Sequence, residues 1–268
     1  MSSTDVAFSG SIPALYDRCL GPLLFEPYAR DLAERVAAIA PRRILETAAG
    51  TGIVTAALVR ALPECEIVAT DLNQAMLDVA AQRVRSAAVS FQAADAQALP
   101  FGDGSFDLVL CQFGVMFFPD RVLAYREARR VLKRGGLFLF NVWDDLAANP
   151  ASEAAARAVA GLFPDDPPTF LQRVPYGYAD ACRIEKDLKA AGFDDVSAET
   201  VSMRSRVHDV ADVAAGLCTG TPLRAEIEAR DPSRLGEATE AAAAALAEMA
   251  GEEGLDAPMS ALVVTARS

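Results

Sequence analysis

Ile44-Leu45-Glu46-Thr47-Ala48-Ala49-Gly50-Thr51-Gly52 joins a short apolar run to the start of an amphipathic one. Arg43 to Thr47 reads as a strand, and Ile53 to Leu62 as a helix with Val54, Leu58 and Leu62 at four-residue steps. Small residues in such a turn let the backbone approach a ligand closely, and the helix N-terminus offers unpaired N–H groups. A Gly-x-Gly turn alone carries little weight. Its context strengthens it: Asp71 ends the next apolar run about twenty residues past Gly50, where a carboxylate accepts both hydroxyls of a ribose.

Outward from that turn the chain alternates. Glu66–Thr70, Val89–Ala93 and Phe106–Gln112 read as strands, with Asn73–Val84 and Asp120–Leu132 as helices. Phe106–Gln112 is nearly all apolar, as expected of a strand buried on both faces. Gly135-Gly136 is expected to end the helix before a fifth strand, Leu137–Val142. Strands and helices alternating at this pitch predict an α/β fold with a parallel sheet and right-handed crossovers.

The flanks read differently. Residues 1–26, with Phe8, Tyr16, Leu20 and Phe25, form a helical arm; a helix begins near Pro27 and Pro41 stops it. Beyond Trp143 come a helix at Ala151–Phe163, a proline-rich loop, a helix at Ala179–Ala191 and an alternating strand at Val196–Arg204. A mostly helical insert follows over Ser205–Leu255, including a five-alanine run, before a last strand at Met259–Ala266. The domain layout expected is an arm at 1–40, a core at 41–143, and a segment at 144–268 whose parts at about 144–178 and 205–255 form a helical cap.

Composition excludes several functions. With 37 acidic against 25 basic residues the net charge is −12, which argues against nucleic-acid partners and for a cytoplasmic protein. The densest cationic stretch, Arg126 to Arg134, reads as a solvated helix face. No apolar run approaches the roughly 20 residues of a membrane span, and the N-terminus shows no secretory pattern. The five cysteines are dispersed and read as reduced thiols. His208 is the only histidine, so no metal site is expected, and it is a weak candidate for a general base.

Two nucleotide cofactors fit the turn. A dinucleotide site calls for a third Gly or Ala where Thr55 stands, and it would set Glu46 against a diphosphate. A sulfonium nucleoside with an ammonium suits the acid better. Glu46 to Gly52 resembles the first motif of class I S-adenosylmethionine (AdoMet) methyltransferases, acid-x-Gly-x-Gly-x-Gly, with Ala48 in place of the first glycine. Asp71-Leu72-Asn73-Gln74-Ala75-Met76-Leu77 resembles the second motif, Ala94-Asp95-Ala96-Gln97-Ala98-Leu99-Pro100-Phe101 the third, and Ser105–Val109 the approach to the fourth strand. Ala128–Gly136 is similar to the helix, glycine turn and fifth-strand entry of the same family. Taken together these motifs look like those of the ubiquinone-biosynthesis-type small-molecule methyltransferases.

The resemblance implies a Rossmann-like, seven-stranded, mostly parallel sheet with helices on both faces and an antiparallel last strand. It implies AdoMet as cofactor, S-adenosylhomocysteine (AdoHcy) as product, and a small-molecule acceptor methylated on O, N or C by a monomer or homodimer. The cofactor residues it implies are Tyr16, Glu46, Ala48, Ala49, Gly50, Thr51, Gly52, Asp71, Leu72, Met76, Asp95, Ala96, Gln112 and Phe113. Asp71 takes the ribose, Met76 flanks the adenine, Asp95 accepts from its amino group, and the arm sets Tyr16 over the cofactor. Phe117, Trp143 and Leu217 are candidates for the acceptor pocket. Alternatives are an NAD(P)-dependent oxidoreductase and a non-catalytic AdoMet-binding protein.

Overall fold

Four short apolar strands, β1 (Arg43–Glu46), β2 (Glu66–Asp71), β3 (Val89–Ala93) and β4 (Phe106–Gln112), pair in parallel. β5 (Leu132–Trp143) adds in parallel to β4, and β6 (Asp195–Val207) and β7 (Leu255–Arg267) complete a seven-stranded sheet in the order β3-β2-β1-β4-β5-β7-β6. β7 runs antiparallel to β5: Gly135 N–H donates to Ser268 O, and Ser268 N–H to Gly136 O, both at 2.9 Å. This computed structural model describes residues 12–268. The first eleven positions of the expected arm, Phe8 among them, lie outside the described residues.

The strand order reverses between β1 and β4. The crevice outside the carboxyl ends of these strands is where open α/β sheets bind ligands. β1 and β4 are central and buried, whereas β3 and β6 are edges with mostly exposed side chains.

The chain forms two units. One holds Tyr28–Val142, Tyr178–Val201 and Ala261–Ser268. Its connecting helices are α3 (Ile53–Ala61), α4 (Gln74–Arg83) and α5 (Arg121–Val131). Asn73 caps α4 by accepting from Ala75 N–H, and Asp120 caps α5 by accepting from Leu123 N–H. Each such cap stabilises a helix by about 1 kcal/mol. α2 (Glu26–Ile39) ends where Ala40 turns left-handed, one residue before Pro41.

Gly135-Gly136 does not end the α5 helix. Val131 is its last residue, and β5 already begins at Leu132. The glycines lie inside the strand, opposite an irregularity in the β4 pairing between Phe106 and Leu108. Gly135 has φ 78°, and a Cβ on Gly136 would come within 2.9 Å of Asp107 O and Lys133 O, so the bulge admits only glycine without strain.

The other unit holds the described residues up to Pro27, Trp143–Gly177 and Ser202–Ser260. Here α1 (Ile12–Leu20) packs on α9 (Val210–Thr219), and α11 (Leu235–Ala247) packs on α9 and on α6 (Pro150–Gly161). Gly216 of α9 makes room for α1, since a Cβ there would lie 2.6 Å from Leu20 Cδ2. Small residues on α11 serve the same end: Ala238 and, within the alanine run, Ala242 are fully buried on one face of the helix. A short π-helical turn at Gly21–Phe25 follows α1, and stacked Tyr16 and Phe25 lead on to Trp143 and Tyr176. Among the described residues no helix is long and apolar enough to cross a membrane.

Candidate functional site

The loop after β1 is built from left-handed residues: Ala48 (φ 51°), Gly50 (φ 55°) and Gly52 (φ 76°). Ala48 takes this left-handed conformation without being glycine, at a cost of about 1–2 kcal/mol. The two glycines serve different ends. A Cβ on Gly52 would press to 2.9 Å on Ala80 Cβ, so Gly52 lets α3 approach α4. A Cβ on Gly50 would meet nothing within 4 Å, so its backbone borders open space. Ala49 N–H donates to Thr70 O at 2.9 Å, tying the loop to the end of β2, and Arg83 Nε donates to Thr51 O.

Asp71 closes that end. Gly50 N–H donates to Asp71 Oδ2 at 2.9 Å and Asn73 N–H to Oδ1 at 2.8 Å. Burial pushes its carboxyl above the ordinary value, and the two N–H groups oppose that shift. Each oxygen keeps a further lone pair for a hydroxyl donor. Beside it Leu72 is 64% exposed, an unusual state for a leucine and a ready apolar surface for a planar ring. Ala94 N–H donates to Asp71 O, which sets the Asp95 turn next to Asp71. Asp95 and Ala96 are half-buried, and Asp95 Oδ1 accepts from Gln97 N–H at 2.8 Å. Met76 is buried in α4 at 4% exposure, together with Leu77 and Ala80.

Glu46 is 2% exposed. Thr55 Oγ1 donates to its Oε2 at 2.7 Å, and no cation stands at ion-pair distance from it among the described residues. Burial foremost, with the charge of Asp71 added, pushes its pKa up to about 8 against the Thr55 hydrogen bond. A cation near Glu46 would favour the ionised form.

At the end of β4, Gln112 is half-buried and Phe113 buried with φ 50°. Tyr28 meets the Phe113 ring edge-on at 5.3 Å. Phe113 N–H donates both to Asn141 O (3.1 Å) and to Asn141 Oδ1 (2.9 Å). Phe117 is half-buried on the short turn that follows.

Within this unit the structure gathers Glu46, Ala48–Gly52, Asp71, Leu72, Asp95, Ala96, Gln112 and Phe113 at the carboxyl ends of β1–β4. Tyr16, Trp143, Leu217 and His208 belong to the other unit. There Trp143 and Leu217 are buried, at 3% and 4% exposure, and His208 lines a cavity of about 460 Å³ with Arg206, Glu253 and Asp256. Sequence reasoning missed Asn141, Gly114 and the bond between Thr55 and Glu46. A lone amide inside the apolar run Leu137–Val142 was the one visible signal for Asn141.

This sheet order with a glycine loop and an acid at the next strand end defines a Rossmann-like nucleoside-binding fold. A family model described as a methyltransferase domain matches residues 45–140. A demethylmenaquinone methyltransferase of Thermotoga maritima is 37% identical over 122 residues, 46% of this chain and 52% of that protein. A ubiquinone/menaquinone biosynthesis C-methyltransferase of Photorhabdus laumondii is 32% identical over 170 residues, 58% of this chain and 68% of that protein. The solved YcgJ protein of Bacillus subtilis superposes with a TM-score of 0.56 at 22% identity, covering 90% of this chain and 98% of that one. The chain belongs to the class I AdoMet-dependent methyltransferase family. It spans about half the length of the Thermotoga relative.

The residues present fit the family's cofactor. Open space borders Gly50, Asp71 has acceptor capacity for a ribose, Leu72 offers an apolar face, and Glu46 is an acid with no cation at ion-pair distance among the described residues.

Proposed function

We propose that the chain transfers the methyl group of AdoMet to an O, N or C atom of a small-molecule acceptor, releasing AdoHcy. The observation that carries this reading is the Asp71 carboxylate, held by Gly50 and Asn73 N–H beside open space and an exposed Leu72.

Asp71 accepts the ribose hydroxyls, Leu72 covers one adenine face, and Asp95 with Ala96 meets the adenine edge. Glu46 sets a negative potential for the cationic end, while Ala48, Ala49, Thr51, Gly52, Gln112 and Phe113 shape the amino-acid side. Met76 is assigned to the adenine, and Tyr16 to the cofactor, by the resemblance alone. When bound, the cofactor supplies an activated methyl group, so the protein's work is chiefly to bind and orient. An acceptor that must lose a proton needs a base, and His208 is the candidate in the other unit.

The family match ends at residue 140. Choice of acceptor is therefore assigned to the arm and to the segments at 144–178 and 205–255, with Phe117, Trp143 and Leu217 as the side chains to vary first. The relatives' activities make a reduced quinone the first acceptor to test. Five unpaired cysteines and the acidic charge support a cytoplasmic protein, and a monomer or homodimer is what the resemblance implies.

The test is transfer of label from methyl-labelled AdoMet to a reduced quinone and to a metabolite extract. Labelled product supports the reading. AdoHcy binding without transfer to any component points to a non-catalytic AdoMet-binding protein. Stabilisation by NADH and not by AdoHcy makes it an oxidoreductase.

A further inference from the structure

Phe113 carries a left-handed backbone without being glycine, at a cost of about 1–2 kcal/mol. Both acceptors of its N–H belong to Asn141. The backbone carbonyl at 3.1 Å continues the β4–β5 ladder, so the side-chain carbonyl at 2.9 Å is additional.

Asn141 is fully buried, and its Nδ2 is a buried donor with no hydrogen-bond partner. An unpaired amide of this kind costs about 1–3 kcal/mol. An apolar residue here would avoid that cost and still leave Phe113 N–H its ladder carbonyl. For the stability of the sheet alone, asparagine is therefore a poor choice at this position.

The gain lies further along the chain. Gly114 follows Phe113 and packs so closely on the glycine loop that a Cβ there would stand 2.6 Å from Ala48 Cβ and 2.6 Å from Cys111 Sγ. The direction in which the chain leaves Phe113 thus sets where Gly114 props Ala48. Two residues past Ala48, Gly50 binds Asp71. These residues form one contiguous chain of contacts within one unit.

We propose that Asn141 is a positioning residue for the cofactor loop: its side-chain carbonyl holds Phe113 left-handed so that Gly114 supports Ala48 in its binding conformation. The inference rests on the AdoMet reading above.

The experiment compares Asn141→Val, Asn141→Asp and the double variant Phe113→Gly/Asn141→Val with wild type, by AdoHcy calorimetry and thermal melting. Valine removes the side-chain acceptor and the unpaired donor together. Its Tm is expected at or above wild type, while the AdoHcy Kd rises about tenfold. Aspartate keeps an oxygen for Phe113 N–H at the price of a buried acid. Its Tm falls, while the Kd stays within about threefold of wild type. In a Phe113→Gly background, where the left-handed turn is free of strain, adding Asn141→Val changes the Kd by less than about twofold. The proposal is overturned if Asn141→Val binds AdoHcy like wild type, or if Kd and Tm worsen together across the variants. Wild type that binds no AdoHcy overturns the AdoMet reading itself, and this inference with it.

Discussion

The Thr55 hydroxyl donates to the buried Glu46 carboxyl at 2.7 Å, and among the described residues no cation pairs with that acid. Without a cationic ligand beside it, Glu46 therefore holds a proton near neutral pH, with its pKa pushed up to about 8 chiefly by burial. The unfolded chain releases that proton near pH 4.5. Between those values the folded state binds more protons, so stability falls as pH rises from about 4.5 to about 8, by a few kcal/mol in total. Asp71, also raised, adds to the same slope. Urea unfolding at pH 5, 7 and 9 should show this decline for wild type and a flatter profile for Glu46→Gln. Identical profiles would mean that Glu46 is ionised in the fold.

Gly114 and Ala48 form a steric pair. Gly114→Ala puts a methyl group against both Ala48 and Cys111 Sγ and should cost about 1–3 kcal/mol. Ala48→Gly relieves a left-handed alanine and should raise stability by up to about 1 kcal/mol. The double variant should recover part of the Gly114→Ala loss and no more, because the sulfur remains. Strict additivity in chemical unfolding would show that the two loops do not press on each other.

Arg130, at first sight part of a solvated cationic helix face, clamps the loop that follows Asp95. It donates to Leu99 O, Phe101 O, Asp103 and Glu127, and Glu127 accepts from Leu99 N–H. Arg130→Met should lower stability by about 1–2 kcal/mol and speed hydrogen exchange at Leu99. Unchanged exchange there would assign the loop's order to other contacts.

Of the five cysteines only Cys182 is exposed. Burial pushes the Cys65 thiol up to about 11 and those of Cys111 and Cys218 up to about 12, so none is a reactive thiolate at neutral pH. Brief iodoacetamide treatment of the folded protein should add one carbamidomethyl group, located at Cys182 by peptide mapping. Several adducts at early times would contradict the buried positions.

The core was legible because its signals are local. The strand Phe106–Gln112 and the Glu46–Gly52 turn announce themselves within a few residues through apolar runs and small-residue spacing. Where the reading failed, a local signal competed with a distant one. Gly135-Gly136 looks like a helix stop, yet the carbonyl of Asp107 across the sheet is what demands glycine there. β6 runs on past Arg204 to Val207, into residues that read as insert, and β7 begins at Leu255, four residues before the expected strand; pairing between Arg204 and Asp256 accompanies this extension. Within the site, the Asp71 contact was foreseeable from strand-end chemistry. The Asn141–Phe113 bond joins residues 28 apart through the β4–β5 register, which no periodicity encodes. Trp143 and Leu217 illustrate another limit: apolar residues of a pocket wall and of a core have the same sequence signature, and both are buried here.

On the proposed reading, Asp71 and the glycine loop hold a sulfonium nucleoside or its thioether product. Titration calorimetry of AdoHcy into wild type and Asp71→Ala tests it most directly. Wild type should bind saturably and one to one, and the variant with at least about a tenfold weaker Kd, as expected when hydrogen bonds to a charged acceptor are lost. Absence of heat with wild type, or equal affinity in both proteins, would contradict it.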